Sequence, residues 1–376
     1  MTPLLSPTGR AVDTAALCAA AREHREHGER RGTLHPSVWQ HLSDSAITTA
    51  ALPAVHGGLQ SAVPHILDAV RQVAYADPSA GWAAAVHAPA GAFLSRLDEP
   101  TARTVLGGGV RPVIAGSSLP AGTIREAGGV LRLSGRWPLV TGAEHASLLA
   151  LAARTPDGGS PVWFLLPRHE VTVHQDWDAL GLRGSASCSV SCDTTVPAGH
   201  SVLLTGPALV DDPLYRFPLY GLMAATIATV AEATGQRALN AFARLAPAVR
   251  PRHADGPLNR LGGAQDAYAQ AGAQLAAASG LLERTTAAAW SAAVDGPVGE
   301  EERARLRAAC CHMAQTAEAV CRTLFEAAGS AAVHRASEVE GCWRDALVIS
   351  RHALVAGRGR QLAGAYLLSG IAAEDL

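Results

Sequence analysis

The chain has 376 residues, with 31 basic against 33 acidic side chains and a formal net charge of -2. Hydrophobic residues make up 48% and charged residues 17%, which excludes disorder as the main state. The near-neutral balance gives no electrostatic case for nucleic acid or for an anionic membrane. The length suggests two or three structural units, or one large multi-layer domain. No unbroken apolar run reaches the roughly 20 residues that span a bilayer. The first residues, Met1-Thr2-Pro3-Leu4-Leu5-Ser6-Pro7, show no basic stretch leading into a long apolar one. The expectation is a soluble, cytoplasmic globular protein.

Every basic residue is arginine, so chemistry on a lysine, whether as Schiff base, phosphate-loop cation or general base, is excluded. The seven cysteines are odd in number and irregularly spaced, which reads as reduced thiols. Cys188 and Cys192, four apart, would share one face of a strand. No histidine pair with ligand spacing accompanies them, so small buried residues are expected there and no metal.

In chain order, residues 14–106 carry apolar side chains at three- and four-residue steps, for example Ile66, Val70, Val73 and Ala74. Breaks fall at Pro36, at Pro53 with Gly57-Gly58, and from Pro78 to Gly81. Near residue 110 the period switches to two. Short segments at 113–115, 130–133, 148–151, 162–166, 171–173, 189–191 and 202–204 are bounded by Gly, Pro and Asp, and read as an antiparallel barrel or sandwich. From Pro213 the helical period returns in long alanine-rich stretches at 222–245, 258–294, 301–328 and 342–369, a bundle of about four helices. The expected class is α+β, with a helical N-terminal domain over 1–108, a central β-domain over 109–210 and a C-terminal helical bundle over 211–376. Apolar residues on more than one face of the last helices predict a homotetramer, or at least a dimer.

Six segments, in order, carry a family resemblance. They are Leu52-Pro53-Ala54-Val55-His56-Gly57-Gly58; Ala76-Asp77-Pro78-Ser79-Ala80-Gly81-Trp82, with His87 five residues on; and Gly116-Ser117-Ser118-Leu119-Pro120-Ala121-Gly122. Then come Gly128-Gly129-Val130 running to Gly135-Arg136-Trp137-Pro138-Leu139-Val140-Thr141-Gly142; Trp177 followed by Gly181-Leu182-Arg183-Gly184-Ser185-Ala186-Ser187; and Trp343-Arg344-Asp345 with His352 after it. Together they resemble the acyl-CoA dehydrogenase-like flavoproteins over nearly the whole chain, and within them the flavin-dependent monooxygenase branch. The resemblance implies that fold, and places Trp82, Ser117, Pro120, Gly122, Trp137, Thr141, Gly142, Gly184, Ser185 and Ser187 against a flavin. The residues themselves offer strand-end glycines that let backbone approach a flat ligand. Trp137 and Trp177 are candidate walls for a fused ring, or ordinary sheet-core tryptophans. Thr141 brings a hydroxyl to the flavin edge, or serves its own turn.

Dehydrogenases of this superfamily use a carboxylate base. The helix opening at Phe217 has no acid near its start, Glu232 lies over two turns downstream, and residues 358–366 lack the dehydrogenase pattern. The branch with histidine instead uses reduced flavin and O2, and a neutral imidazole suits proton removal from a phenol or amine. His352, then His87, then Thr141 are the catalytic candidates. His352 follows Asp345 by seven residues, which would place both on one face of one helix. The implied reaction is hydroxylation or N-oxygenation of a bulky small molecule of specialised metabolism, with a separate flavin reductase as partner.

Three departures from the pattern keep alternatives open. Ala186 stands where the branch has glycine, Glu340-Gly341 falls where it often has arginine, and no counterpart of the dehydrogenases' basic diphosphate-binding segment occurs near residues 250–257. FMN is therefore as suitable as FAD. The alternatives are acyl-CoA dehydrogenase-type α,β-dehydrogenation, or a non-redox ligand-binding or cyclase-like relative.

Overall fold

The helical spacing at the front gives α1 (Ala15–Arg31), α2 (Pro36–Asp44), α3 (Val63–Ala76), α4 (Pro78–His87) and α5 (Glu99–Leu106). Helices α2, α4 and α5 each begin with a proline in the first turn. Each also has a side-chain cap, from His35, Asp77 and Asp98 respectively, which satisfies amide groups that a helix start leaves open. The computed structural model describes residues 12–107, 111–127, 130–155, 161–203, 206–373 and 376. The first eleven residues, Gly108-Gly109, Gly128-Gly129 and Leu204 lie outside the described residues.

The β region contains β1 (Ile114–Ala127), β2 (Val130–Thr141), β3 (Leu148–Arg154), β4 (Val162–Pro167), β5 (Thr172–His174), β6 (Ser187–Val196) and β7 (Ser201–Val202). They form one seven-stranded sheet in the order β5-β6-β2-β1-β3-β4-β7. This corrects the expected antiparallel barrel in two ways. Strands β1 and β3 run parallel, and the order leaves β5 and β7 as edges that do not pair with each other among the described residues. Alternation reports which face is buried and not strand direction, so the parallel pair left no trace in the sequence.

Two ladders slip. The β1–β3 register shifts between Ser117 and Gly122, and the β2–β6 register shifts between Trp137 and Val140. Pro120 and Pro138 fall inside these irregular stretches, where a residue without an N–H is tolerated. Both bulges turn toward the cavity described below.

The two sheet faces belong to different cores. Leu148, Ala150 and Ala152 of β3, with Trp163 and Leu165 of β4, join a large cluster with the helices. Their alternate neighbours Leu149, Leu151, Ala153, Phe164 and Leu166 join Trp137, Leu133 and Val190 in a cluster built from the β region alone. The large cluster contains residues of both front and back helices, so the two helical parts share one core across one face of the sheet.

The back of the chain contains α6 (Pro213–Arg216), α7 (Leu219–Leu245), α8 (Gly262–Asp295), α9 (Glu300–Ala328), α10 (Glu338–Ile349) and α11 (Gly357–Ser369). Helix α9 packs against α7, α8, α10 and α11. The helix expected over 342–369 is broken between Ile349 and Gly357. The Ser350 hydroxyl donates to the Leu347 carbonyl, and the His352 ring accepts the Leu354 amide. Such local side-chain bonds compete with continued helix. His352 therefore lies past α10 and shares no helical face with Asp345, which corrects the expected pairing.

Asp345 has a different task. Its carboxylate accepts the Leu182 amide at 2.6 Å, and Arg344 donates to the Leu180 carbonyl at 2.7 Å. Gly181 lies so close that a Cβ there would stand 2.2 Å from the Arg344 carbonyl oxygen. The Trp-Arg-Asp segment thus fastens the 177–187 loop to α10. Burial pushes Asp345 up to about 7, partly opposed by the bond from Leu182. Leaving the Leu182 amide without its acceptor would cost on the order of 1–3 kcal/mol.

Candidate active site

A cavity of about 430 Å³ opens where α4, both sheet bulges, the 177–187 loop, α7 and the turn after α10 meet. Its walls are largely apolar and aromatic, including Trp82, Phe93, Trp163, Trp177, Leu182, Met223 and Ile227. Of the flavin candidates, Trp82, Ser117, Thr141, Ser185 and Ser187 reach the wall, as does His352.

One wall is a chain of polar groups. The Trp82 indole N–H donates to Thr141 Oγ1 at 3.1 Å, Thr141 and Ser187 hydroxyls bond at 2.8 Å, and Ser187 and Ser185 hydroxyls bond at 2.9 Å. All four side chains are buried. Three hydroxyls carry three hydrogens, and two are consumed between themselves. The third is left to donate to a ligand.

The sequence places this chain through close approaches. Gly81 lets α4 cross α3 where a Cβ would stand 2.3 Å from Ala74, and this sets the height of Trp82. The loop brings Ser185 and Ser187 beside the end of β2 through the α10 clamp.

Three non-glycine residues around the cavity have left-handed backbone: Leu139 at φ 61°, Leu182 at φ 50° and Ala186 at φ 46°. Each costs roughly 1–2 kcal/mol relative to ordinary backbone. Ala186 occupies the place where the resembling branch has glycine, and its conformation supplies the reason for glycine there. Ala186 is buried and is not among the residues lining the cavity.

Other candidates lie elsewhere. Trp137 is fully buried in the β cluster and donates to the Ala152 carbonyl at 2.7 Å, so of the two candidate walls only Trp177 faces the cavity. Pro120, Gly122, Gly142 and Gly184 are not part of the lining. Gly116 is part of the lining, where backbone can approach a ligand as expected, while the other strand-end glycines are packed within the protein. A Cβ on Gly116 would meet Ala150, on Gly122 Trp137, on Gly135 Gly122, and on Gly142 both Trp39 and His87.

His87 sits behind the wall, fully buried. Its Nδ1–H donates to the Ile114 carbonyl at 2.9 Å, and burial holds its pKa down at about 4. His352 is half-buried at the wall, with its ring edge-on to Trp82 at 5.4 Å. Burial, and then the nearby Arg307, lower its pKa to about 4, so it is neutral near pH 7. Its Nδ1 accepts the Leu354 amide at 3.3 Å. The neutral ring therefore carries its proton on Nε2.

No carboxylate lines the cavity among the described residues. Glu232 is paired with Arg71 at 3.1 Å, in a separate groove with Cys18 and Tyr75. Sequence reasoning missed the apolar lining from Phe93, Met223, Ile227 and Val348, and also the bulges, for which Pro120 and Pro138 were the available signal.

The family described as Acyl-CoA dehydrogenase, C-terminal domain, matches residues 223–356. The chain is 25% identical over 362 residues to indole-3-acetate monooxygenase of Pseudomonas putida, covering 93% of this chain and 92% of that one. It is 26% identical over 357 residues to the flavin-dependent monooxygenase oxygenase subunit HsaA of Rhodococcus jostii, covering 88% and 90%. The chain thus resembles flavin-dependent monooxygenases over most of its length, and its C-terminal part matches the acyl-CoA dehydrogenase family model. The solved structure of XiaF from a Streptomyces species, in complex with FADH2 and glycerol, has the same fold, with a TM-score of 0.87 at 22% identity over 95% of this chain and 94% of that one.

The His87 pKa of about 4 lies below the ordinary 6.5. Above pH 6.5 the ring is neutral in both folded and unfolded chains, and as pH falls toward 4 only the unfolded chain takes up the proton. Relative to His87→Asn, the wild type should lose roughly 3 kcal/mol between those limits and nothing above them. Urea unfolding of both proteins at a series of pH values measures this difference, and a pH-independent difference would contradict it.

Proposed function

We propose that the chain is the oxygenase of a two-component system, using reduced flavin and O2 to hydroxylate or N-oxygenate a bulky aromatic small molecule. The observation that carries this reading is a largely apolar, aromatic cavity with a buried hydroxyl chain on one wall, a neutral histidine and, among the described residues, no carboxylate. Removal of an α-proton as in the dehydrogenases needs a base the cavity does not present.

The residues present fit a flavin. A flat heteroaromatic with polar atoms along one edge matches apolar walls and one hydroxyl left to donate. Thr141, Ser185, Ser187 and Trp82 would hold that edge, with Trp177 and Ser117 beside it. FAD and FMN both remain in keeping with these residues. A bound reduced flavin supplies the electrons that activate O2. The chain's own part is to orient, to exclude water and to manage protons. The low-charge walls keep water from the reacting atoms. His352, with its proton on Nε2, donates a hydrogen bond that orients an oxygen or nitrogen of the substrate, and acts as base only after its Nδ1 bond to Leu354 is exchanged.

The proposal extends to partners and assembly. A separate reductase supplies the flavin, in keeping with the description of HsaA as the oxygenase subunit of a flavin-dependent monooxygenase. The C-terminal helices form a four-helix bundle and build a homotetramer in the cytoplasm. No helix among the described residues is long and apolar enough to cross a membrane. Leu367, Leu368 and Ile371 at the end of α11 are 50%, 89% and 65% exposed, an apolar group that association would cover. Light scattering at micromolar concentration should give four times the monomer mass, and a monomer would contradict the assembly.

With reduced flavin, ¹⁸O2 and an aromatic substrate, one labelled oxygen should enter the product. His352→Ala should lower that rate about 10²–10⁴-fold while leaving flavin binding nearly intact. His352→Gln, which keeps an N–H donor, should recover part of the loss. An unlabelled, dehydrogenated product would overturn the reading.

A further inference from the structure

Among the described residues lining the cavity, Arg351 is the one side chain with a permanent charge. Its charge is already engaged, through one nitrogen, by a carboxylate. Its Nη2 lies 2.7 Å and 2.9 Å from the two carboxylate oxygens of Glu318 on α9. Glu318 is in turn held at 2.5 Å by the Ser350 hydroxyl, whose one hydrogen is shared between this carboxylate and the Leu347 carbonyl. The carboxylate is thus anchored by the residue before Arg351 as well as by Arg351 itself. A pair whose arginine side chain is 66% exposed adds little to stability. Its consequence is electrostatic, because the cation at the wall is already compensated.

No other permanently charged side chain is part of the lining, although the charge of Arg307 reaches His352 from behind it. His352 is neutral near pH 7. Arg307, buried on α9, donates to the Leu354 carbonyl and is not part of the lining. The hydroxyl chain offers one neutral donor. A ligand carboxylate entering this cavity would give up hydration without gaining a counter-charge.

We propose that Glu318, by clamping Arg351, makes this cavity select uncharged aromatic substrates and reject carboxylates. The proposal rests on the oxygenase reading for what the bound molecule becomes, and on the Arg351–Glu318 geometry alone for what is bound. Glu318 acts through Arg351 and is a specificity-determining residue, not a catalytic one.

The test compares 2-naphthol with 2-naphthoate near pH 7, where the same ring system is neutral in one and ionised in the other. Binding is read by equilibrium dialysis on the full chain, with and without FMN. The wild type should favour 2-naphthol by at least about tenfold. Glu318→Gln should tighten 2-naphthoate by about tenfold, the worth of one charge-assisted bond, and leave 2-naphthol within about twofold. Arg351→Gln should weaken 2-naphthoate further while sparing 2-naphthol, and the double variant should cancel the gain of Glu318→Gln. Equal wild-type affinity for the two ligands, or a Glu318→Gln protein that binds 2-naphthoate no better, overturns the proposal. Should Glu318→Gln fail to fold, Arg351→Gln decides alone: unchanged 2-naphthoate binding contradicts the clamp. Flavin binding is titrated separately on the same proteins. Its failure would remove the oxygenase reading while the charge preference of the cavity is still measured.

Discussion

The bond from the Leu182 amide to the buried Asp345 carboxylate is the constraint on which the site depends. It joins a loop with little regular structure to a helix in the main core, and it does so five residues before Ser187. With Arg344 holding Leu180 and Gly181 seated on the helix backbone, the loop has few ways to move. That rigidity allows left-handed backbone at Leu182 and Ala186, which an unsupported loop would relax. It also brings the Ser185 and Ser187 hydroxyls into register with Thr141 and Trp82. A cavity wall built from three elements distant in sequence is thereby fixed as if it were one.

Much of this was legible in the sequence, and the boundary between what was and was not is physical. Trp82 could be placed because a capped helix start, Asp77-Pro78-Ser79, and a close-packing glycine precede it. Helices and strands followed from apolar period, and the family segments brought Thr141, Ser185, Ser187 and His352 to one cavity. Strand direction did not follow, because alternation is the same for parallel and antiparallel neighbours. Trp137 and Trp177 were equivalent on the sequence, each beside a glycine-rich strand end. Only the curl of the sheet, which buries Trp137 under Gly122, separates them. The break after Ile349 was hidden because no proline or glycine marks it. It arises from side-chain bonds at Ser350 and His352, and with it fell the expectation that Asp345 and His352 share one helix face.

The strand-end glycines teach a related point. Gly116, Gly122, Gly135 and Gly142 belong to segments that resemble a flavin-binding pattern, yet each vacant Cβ position faces protein. Gly122, Gly135 and Gly142 let the chain pack tightly around Trp137 and His87, while Gly116 itself lies on the cavity wall among the side chains that a ligand meets. The polar part of that wall is neutral throughout, from the hydroxyl chain to His352. Its charge balance at the rim is kept by Glu318. Apolar walls and neutrality together suit chemistry that water would quench and substrates that carry no charge.

The most direct test of the central claim is an anaerobic titration of reduced FMN and reduced FAD against the wild type and against Thr141→Val and Ser187→Ala. Each variant removes one link of the hydroxyl chain without touching the apolar walls. The wild type should bind at least one of the two flavins saturably. Each variant should bind it about tenfold more weakly, the worth of a hydrogen bond of about 1.4 kcal/mol. Wild-type protein that binds neither flavin, or variants that bind as tightly as the wild type, would contradict the assignment of this wall as the flavin site.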